Sequence, residues 1–187
     1  MLIALLPNFA NGISQGADSI YRRLLIEQFK DYEERYGCTL LAQINDKTEA
    51  ALVRTVISFM LYTFCNKIAE TYPEPISSPL TSALHFEIYK EKPIKGAQCR
   101  TGHIAPAGSF LDYMTYQNPN FEDRRLAPAF KFGNEIAQIM ETMDMAFSFM
   151  ASQQAVLIAE ITQRILSGLL SHPVGTGSKP ALMDDRL

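Results

Sequence analysis

The segment from Gly133 to Leu170 constrains the fold more than any other part of the chain. Between Asn134 and Leu170 it contains no proline and only one glycine, Gly168. Large apolar side chains recur at steps of three, four and seven, which is the spacing of one helical face. They are Ile136, Met140, Met143, Phe147, Met150, Leu157, Ile161, Ile165 and Leu169. A second apolar set covers a neighbouring face and consists of Ile139, Ala146, Phe149 and Val156. We therefore expect one buried helix, or a nearly continuous pair.

The middle of this segment carries no charge. Asp144 and Glu160 bound 15 uncharged residues, whereas a membrane-spanning helix needs about 20 apolar ones. The polar trio Ser152-Gln153-Gln154 interrupts the apolar pattern. It is either a contact that sets the register of an oligomer or a kink between two helices. We predict a central core helix, or a helix shared with a second subunit, and no membrane span.

Two further helices are predicted upstream. Ala17 to Tyr36 has an apolar stripe and a charged side, and Gly37 is a typical helix stop. Asp46 to Thr71 is opened by the spacing of Asp46 and Glu49, which resembles a capping box. Its stretch from Thr55 to Asn66 carries no charge, so this helix is expected to be buried as well.

The region after this second helix predicts extended structure. Pro73, Pro75 and Pro79 are typical of a rigid linker. Residues 84–91 alternate in polarity, residues 91–96 have turn chemistry in Pro93 and Gly96, and residues 97–104 can return as a partner strand. Cys38 to Ile44 is a further candidate strand. The predicted fold class is therefore α+β and predominantly helical, with a core of three or more helices and a small antiparallel β-hairpin.

The length of 187 residues predicts one main domain. We assign residues 1–172 to a single globular domain, with a loop from Asn8 to Gly16 before its first helix. Residues 173–187 combine two prolines and two glycines with small and polar residues, which predicts a weakly structured tail.

The predicted hairpin carries the sharpest candidate site. If its turn centres on Ile94, then His85, Glu87, Cys99 and His103 share one face. Two imidazoles, a thiolate and a carboxylate suit a transition metal, and a Cys99–His103 pair could activate a thiol nucleophile. A slip of one residue in the pairing would destroy the shared face. The alternative is a polar side that faces solvent, and we assign no catalytic, cofactor or metal residue.

The same hairpin is locally basic. The cations are Lys90, Lys92, Lys95 and Arg100. A phosphate or an acidic partner could dock on them. Lysines are also common at the solvated edges of sheets, where they prevent unwanted strand pairing. Both interpretations remain open at the level of the sequence.

Composition limits the functional classes. A net charge of −3 disfavours general nucleic-acid binding. Cys38, Cys65 and Cys99 are an odd number without metal spacing, which favours a reducing compartment and thus the cytoplasm. The phosphate-loop, dinucleotide, zinc-protease, serine-hydrolase and dithiol motifs are missing from the sequence, so no cofactor is predicted.

We therefore predict a non-enzymatic protein–protein interaction module: an adaptor, a chaperone-like factor or a subunit of a larger cytoplasmic assembly. Its partner would be another protein or its own copies. One alternative is a structural subunit of a viral or other homopolymeric assembly. The other is a metal- or thiol-dependent enzyme with its site on the 84–104 hairpin.

Overall fold

The computed structural model describes residues 2–89, 127–142 and 144–171, and about 90% of this part of the chain is helical. Its six α-helices are α1 Leu2–Ile20, α2 Ile26–Tyr36, α3 Asp46–Thr71, α4 Glu74–Tyr89, α5 Ala127–Ile139 and α6 Met145–Ser171. The described ranges contain no β-strand. The predicted helical core is confirmed, whereas the predicted α+β fold class with a β-hairpin is wrong.

Helices α1 and α2 form one continuous rod through a π-helical turn, Tyr21–Leu25. The predicted end at Gly37 is confirmed, because Gly37 adopts φ 66° and its N–H donates to the carbonyl of Glu33 at 2.8 Å. The predicted loop before this helix is wrong. Residues 8–16 are helical because apolar residues at steps of four, such as Phe9 and Ile13, are fully buried.

Helix α3 lies at the centre of the bundle and packs against α1, α4, α5 and α6. It begins at Asp46 and ends at Thr71, as predicted. The capping side chain is Asn45, one residue earlier than the capping-box spacing indicates; its Oδ1 accepts from two backbone N–H groups at 3.0 Å. The Phe64 ring meets that of Phe9 at 6.0 Å between centroids. Aromatic contacts therefore connect the central helix to its neighbours.

By length and composition alone, α3 could also cross a membrane. Of its most apolar 18 residues, 61% are buried inside the protein. The core helix of a water-soluble bundle has the same properties, so this finding is weak evidence for a span. The absence of a membrane span stays a prediction.

Helix α4 replaces the predicted proline linker and the first predicted strand. Pro75 lies in its first turn, where a missing N–H is tolerated, and Pro79 is accommodated further inside. The residues that the core uses, Leu80, Leu84 and Ile88, lie four apart, while Phe86 is exposed. Spacing by four therefore overrides the alternation that predicted a strand. The predicted return strand lies outside the described residues.

The predicted strand from Cys38 to Ile44 is also wrong. A single 3₁₀ turn, Leu41–Gln43, occupies this segment. The backbone N–H of Leu41 donates to the Glu33 carboxylate at 2.6 Å, and Leu40 is buried. The segment thus folds back on the end of α2 instead of pairing with a strand.

Candidate interaction surface

Helices α5 and α6 form an antiparallel hairpin that breaks the predicted segment at residues 140–144. Backbone N–H groups of Met140 and Thr142 donate to carbonyls in the last turn of α5, at 3.0 and 2.9 Å. Glu141 adopts φ 50°, which turns the chain back. The break therefore falls about ten residues before the polar trio at which a kink was considered.

The two helices touch at Gly133. A Cβ atom at this position would lie 2.1 Å from Oγ of Ser152 and 2.2 Å from the carbonyl oxygen of Ser148. Only glycine allows the α5 backbone to approach this closely. The contact buries Ser152, whose hydroxyl donates to the Ser148 carbonyl at 2.8 Å. One member of the polar trio is thus explained by packing of α5 on α6, and α6 runs through the trio without a break.

The first turn of α6 is fixed by Asp144. Its carboxylate accepts the N–H of Ala146 at 2.7 Å and also accepts a hydrogen bond from the Tyr32 hydroxyl. These bonds, that from Tyr32 above all, lower the pKa of Asp144. Burial and the neighbouring carboxylate raise the pKa of Tyr32. Phe147 packs between Phe29 and Tyr32, with ring centroids 5.4 and 5.2 Å away.

The next turn of α6 is held by Gln28. The Gln28 amide donates to the carbonyl of Met150 at 2.8 Å. Its Oε1 is buried without a hydrogen-bond partner among the described residues. The side of α6 that faces α2 is thus fixed by rings and polar contacts.

The side of α6 that faces away from the core exposes large apolar residues. Its exposed fractions are 86% for Met145, 54% for Phe149, 50% for Val156 and 43% for Leu157. Phe130 of α5, also exposed, extends this area, with its ring centroid 6.4 Å from that of Phe149. We call these five residues the α6 apolar surface. No charged residue occurs in α6 from Met145 to Ala159. The charged residues that flank this stretch are Asp144 and Glu160.

The structure corrects which faces of this segment are buried. Leu157 belongs to the predicted core stripe but is exposed, and Phe149 and Val156 of the second set are exposed as well. The buried residues of α6 are Phe147, Ala151, Ser152, Ala155, Ile158, Thr162 and Leu166. Small residues at steps of three and four, which allow close helix contacts, were the signal that could have found them.

The predicted metal or thiol site loses its geometric basis. His85 and Glu87 lie on α4, where residues two apart point to different sides. Their partners Cys99 and His103 lie outside the described residues, as do the four cations of the predicted hairpin. No group of three potential metal ligands occurs in the described ranges. His85 is buried, and burial lowers its pKa to about 4, so it is a neutral core residue at pH 7.

Comparisons with protein-family models, curated proteins and solved structures give no match to this chain. The function is therefore inferred from the α6 apolar surface itself.

Proposed function

We propose that this chain is a non-enzymatic protein–protein interaction module, and that the α6 apolar surface is its contact site. The observation that carries the proposal is the clustering of Phe130, Met145, Phe149, Val156 and Leu157 over one helical hairpin. Isolated exposed apolar residues are normal, but several large ones on the same side of a helix hairpin, with no charged residue of α6 among them, are typical of a binding surface. Phenylalanine and methionine are also enriched in the centres of protein interfaces.

The support of the surface favours binding over accidental exposure. The close approach at Gly133 and the capping of α6 by Asp144 fix α5 and α6 against each other and against α2. A rigid apolar surface loses little side-chain and backbone freedom when a partner binds, so more of the contact energy remains as affinity.

Residence in the cytoplasm is part of the proposal. The sequence contains three cysteines, Cys38, Cys65 and Cys99, an odd number without metal spacing. This pattern favours a reducing compartment.

Site-specific photo-crosslinking in the native cells tests the proposal. A benzophenone amino acid replaces Phe149 in one variant and Phe86 of α4, also exposed, in the matched control. We expect a defined protein adduct from position 149 and none of comparable yield from position 86. The absence of an adduct at position 149, or the same adducts at both positions, would contradict the proposed contact site.

A further inference from the structure

The α6 apolar surface also carries information about the kind of partner, and the following inference rests on the proposed function. We infer that the partner is a second copy of this chain, with the two α6 helices packed antiparallel across a two-fold axis. Three features of α6 support this arrangement: its uncharged centre, the charges at its ends and the position of Gln153.

The surface is complementary to itself. A two-fold contact brings the same patch of both copies together, so an apolar centre meets an apolar centre. With the axis midway between residues 149 and 156, Phe149 of one copy packs on Val156 of the other. No charged residue of α6 from Met145 to Ala159 is desolvated by this contact. Burying large apolar side chains against each other is the main favourable term.

The charges beyond the apolar centre favour the antiparallel direction. Arg164 lies about 17 Å beyond the proposed axis at the helical rise, and Asp144, the residue before the start of α6, lies about 13 Å before it. Both are exposed, and neither forms an ion pair with a described residue. Antiparallel packing places each Arg164 near Asp144 of the other copy. Parallel packing would place like charges together.

The polar trio has a role in this arrangement. Of its three members, Ser152 is buried against α5 and Gln154 is half-buried, so only Gln153 is exposed. Gln153 lies next to the proposed axis, where it faces its own copy. An amide both donates and accepts hydrogen bonds, and a single such pair in an apolar seam fixes the register. Glu160 lies one turn before Arg164, at the end of the seam where solvent reaches it.

The mass in solution of the full chain provides the first test, and we expect twice 21.0 kDa. Phe149→Glu should raise the dissociation constant of the dimer at least about 100-fold, because both copies would bring a carboxylate into the apolar contact. Phe86→Glu is the matched control and should leave the dimer intact. Circular dichroism of both variants verifies that they remain folded. A monomeric wild type, a dimer that tolerates Phe149→Glu, or particles larger than a dimer would overturn the inference.

Charge reversal tests the direction of packing. Arg164→Glu should raise the dissociation constant of the homodimer about 10-fold, because it places a carboxylate near Asp144 of the other copy. Arg164→Lys keeps the charge and should leave the dissociation constant unchanged. Equal dissociation constants of wild type and Arg164→Glu would exclude the antiparallel arrangement.

The two proposals fail in different ways. A crosslinked adduct at position 149 whose mass differs from twice that of the chain would leave the interaction module standing and overturn the second copy as its partner. The absence of any adduct would overturn the contact site and this inference together.

Discussion

Helices α3 and α6 have nearly the same length and the same sequence signature, yet they lie in different environments. Each carries a long uncharged stretch, residues 55–66 in α3 and 145–159 in α6. In α3, six consecutive residues from Val56 to Leu61 are buried, because other helices surround it. In α6, the side opposite the core exposes four large apolar residues. The absence of charge therefore indicates burial, but it does not say whether the same chain supplies the covering surface.

The largest expected difference between the two helices is the cost of removing a phenylalanine. Phe64 of α3 is 0% exposed, so Phe64→Ala should lower the free energy of unfolding by about 3–5 kcal/mol. Phe149→Ala should cost less than about 1 kcal/mol when the chain is monomeric, because the ring is already half in water. Urea unfolding at low protein concentration measures both. Equal losses would end the distinction between a core helix and a docking helix.

The pH dependence of unfolding tests whether water is excluded from the core around α3, where His85 of α4 is buried. His85 of α4 has a folded-state pKa of about 4, below the ordinary 6.5. The contribution of neutral His85 to stability is therefore complete above pH 6.5. It is lost as the pH falls toward 4, because in this range the unfolded chain binds a proton at His85 more readily than the folded chain does. The free energy of unfolding should fall by about 3 kcal/mol more in wild type than in His85→Gln between pH 7 and pH 4. His103 and His172 are present in both proteins and cancel. If the free energies of unfolding of wild type and His85→Gln fell equally between pH 7 and pH 4, the result would show that His85 reaches water.

The next effect concerns the contact that leaves the outer side of α6 bare. Gly133→Ala should lower the free energy of unfolding by about 2–3 kcal/mol, because the new methyl group meets backbone atoms of α6 that cannot move alone. Gly168→Ala is the control in the same helix pair. No atom lies within 4 Å of the Cβ that this substitution adds, so Gly168→Ala should raise the free energy of unfolding by about 0.5–1 kcal/mol. Thermal unfolding of both variants decides whether the close approach exists.

The smallest effect separates the caps of the two helices. Asn45→Ala should lower the free energy of unfolding by about 1 kcal/mol at every pH, because the side-chain amide that caps α3 does not titrate. Asp144 caps α6 with a carboxylate whose pKa is lowered. The contribution of the Asp144 carboxylate to stability is present above its unfolded pKa and is lost as the pH falls through the folded value. Asp144→Ala should therefore lower the free energy of unfolding at pH 7 and change it very little in strong acid. A constant effect of Asp144→Ala across the pH range would contradict this role.

Local signals were sufficient for part of the fold. The end at Gly37 and the extent of α3 follow from a left-handed stop and from an uncharged run between polar ends. Alternation between Leu84 and Ile88 was not sufficient, because the same residues also fit a spacing of four. Packing on the rest of the bundle, which a single sequence does not reveal, selected the helix.

The candidate surface could not be predicted for a related reason. Large side chains define an apolar pattern, but close contact with α5 requires small ones, such as Ala151, Ala155 and Gly133. These place the core side of α6 and leave Phe149 and Val156 on the outside. The apolar character of α6 was therefore predictable, while the direction in which each apolar side faces was not.

The most direct measurement of the central claim is the oxidation rate of two methionines in the dilute full-length chain. Met145 of α6 is 86% exposed and Met60 of α3 is 0% exposed, and both carry the same thioether. With peroxide and mass spectrometry, Met145 should oxidise at least about tenfold faster than Met60. It should become protected as the protein concentration rises into the dimeric range. Equal slow oxidation of both residues in the monomer would show that the chain covers its own α6 apolar surface, and would contradict the claim that this surface is open to a partner.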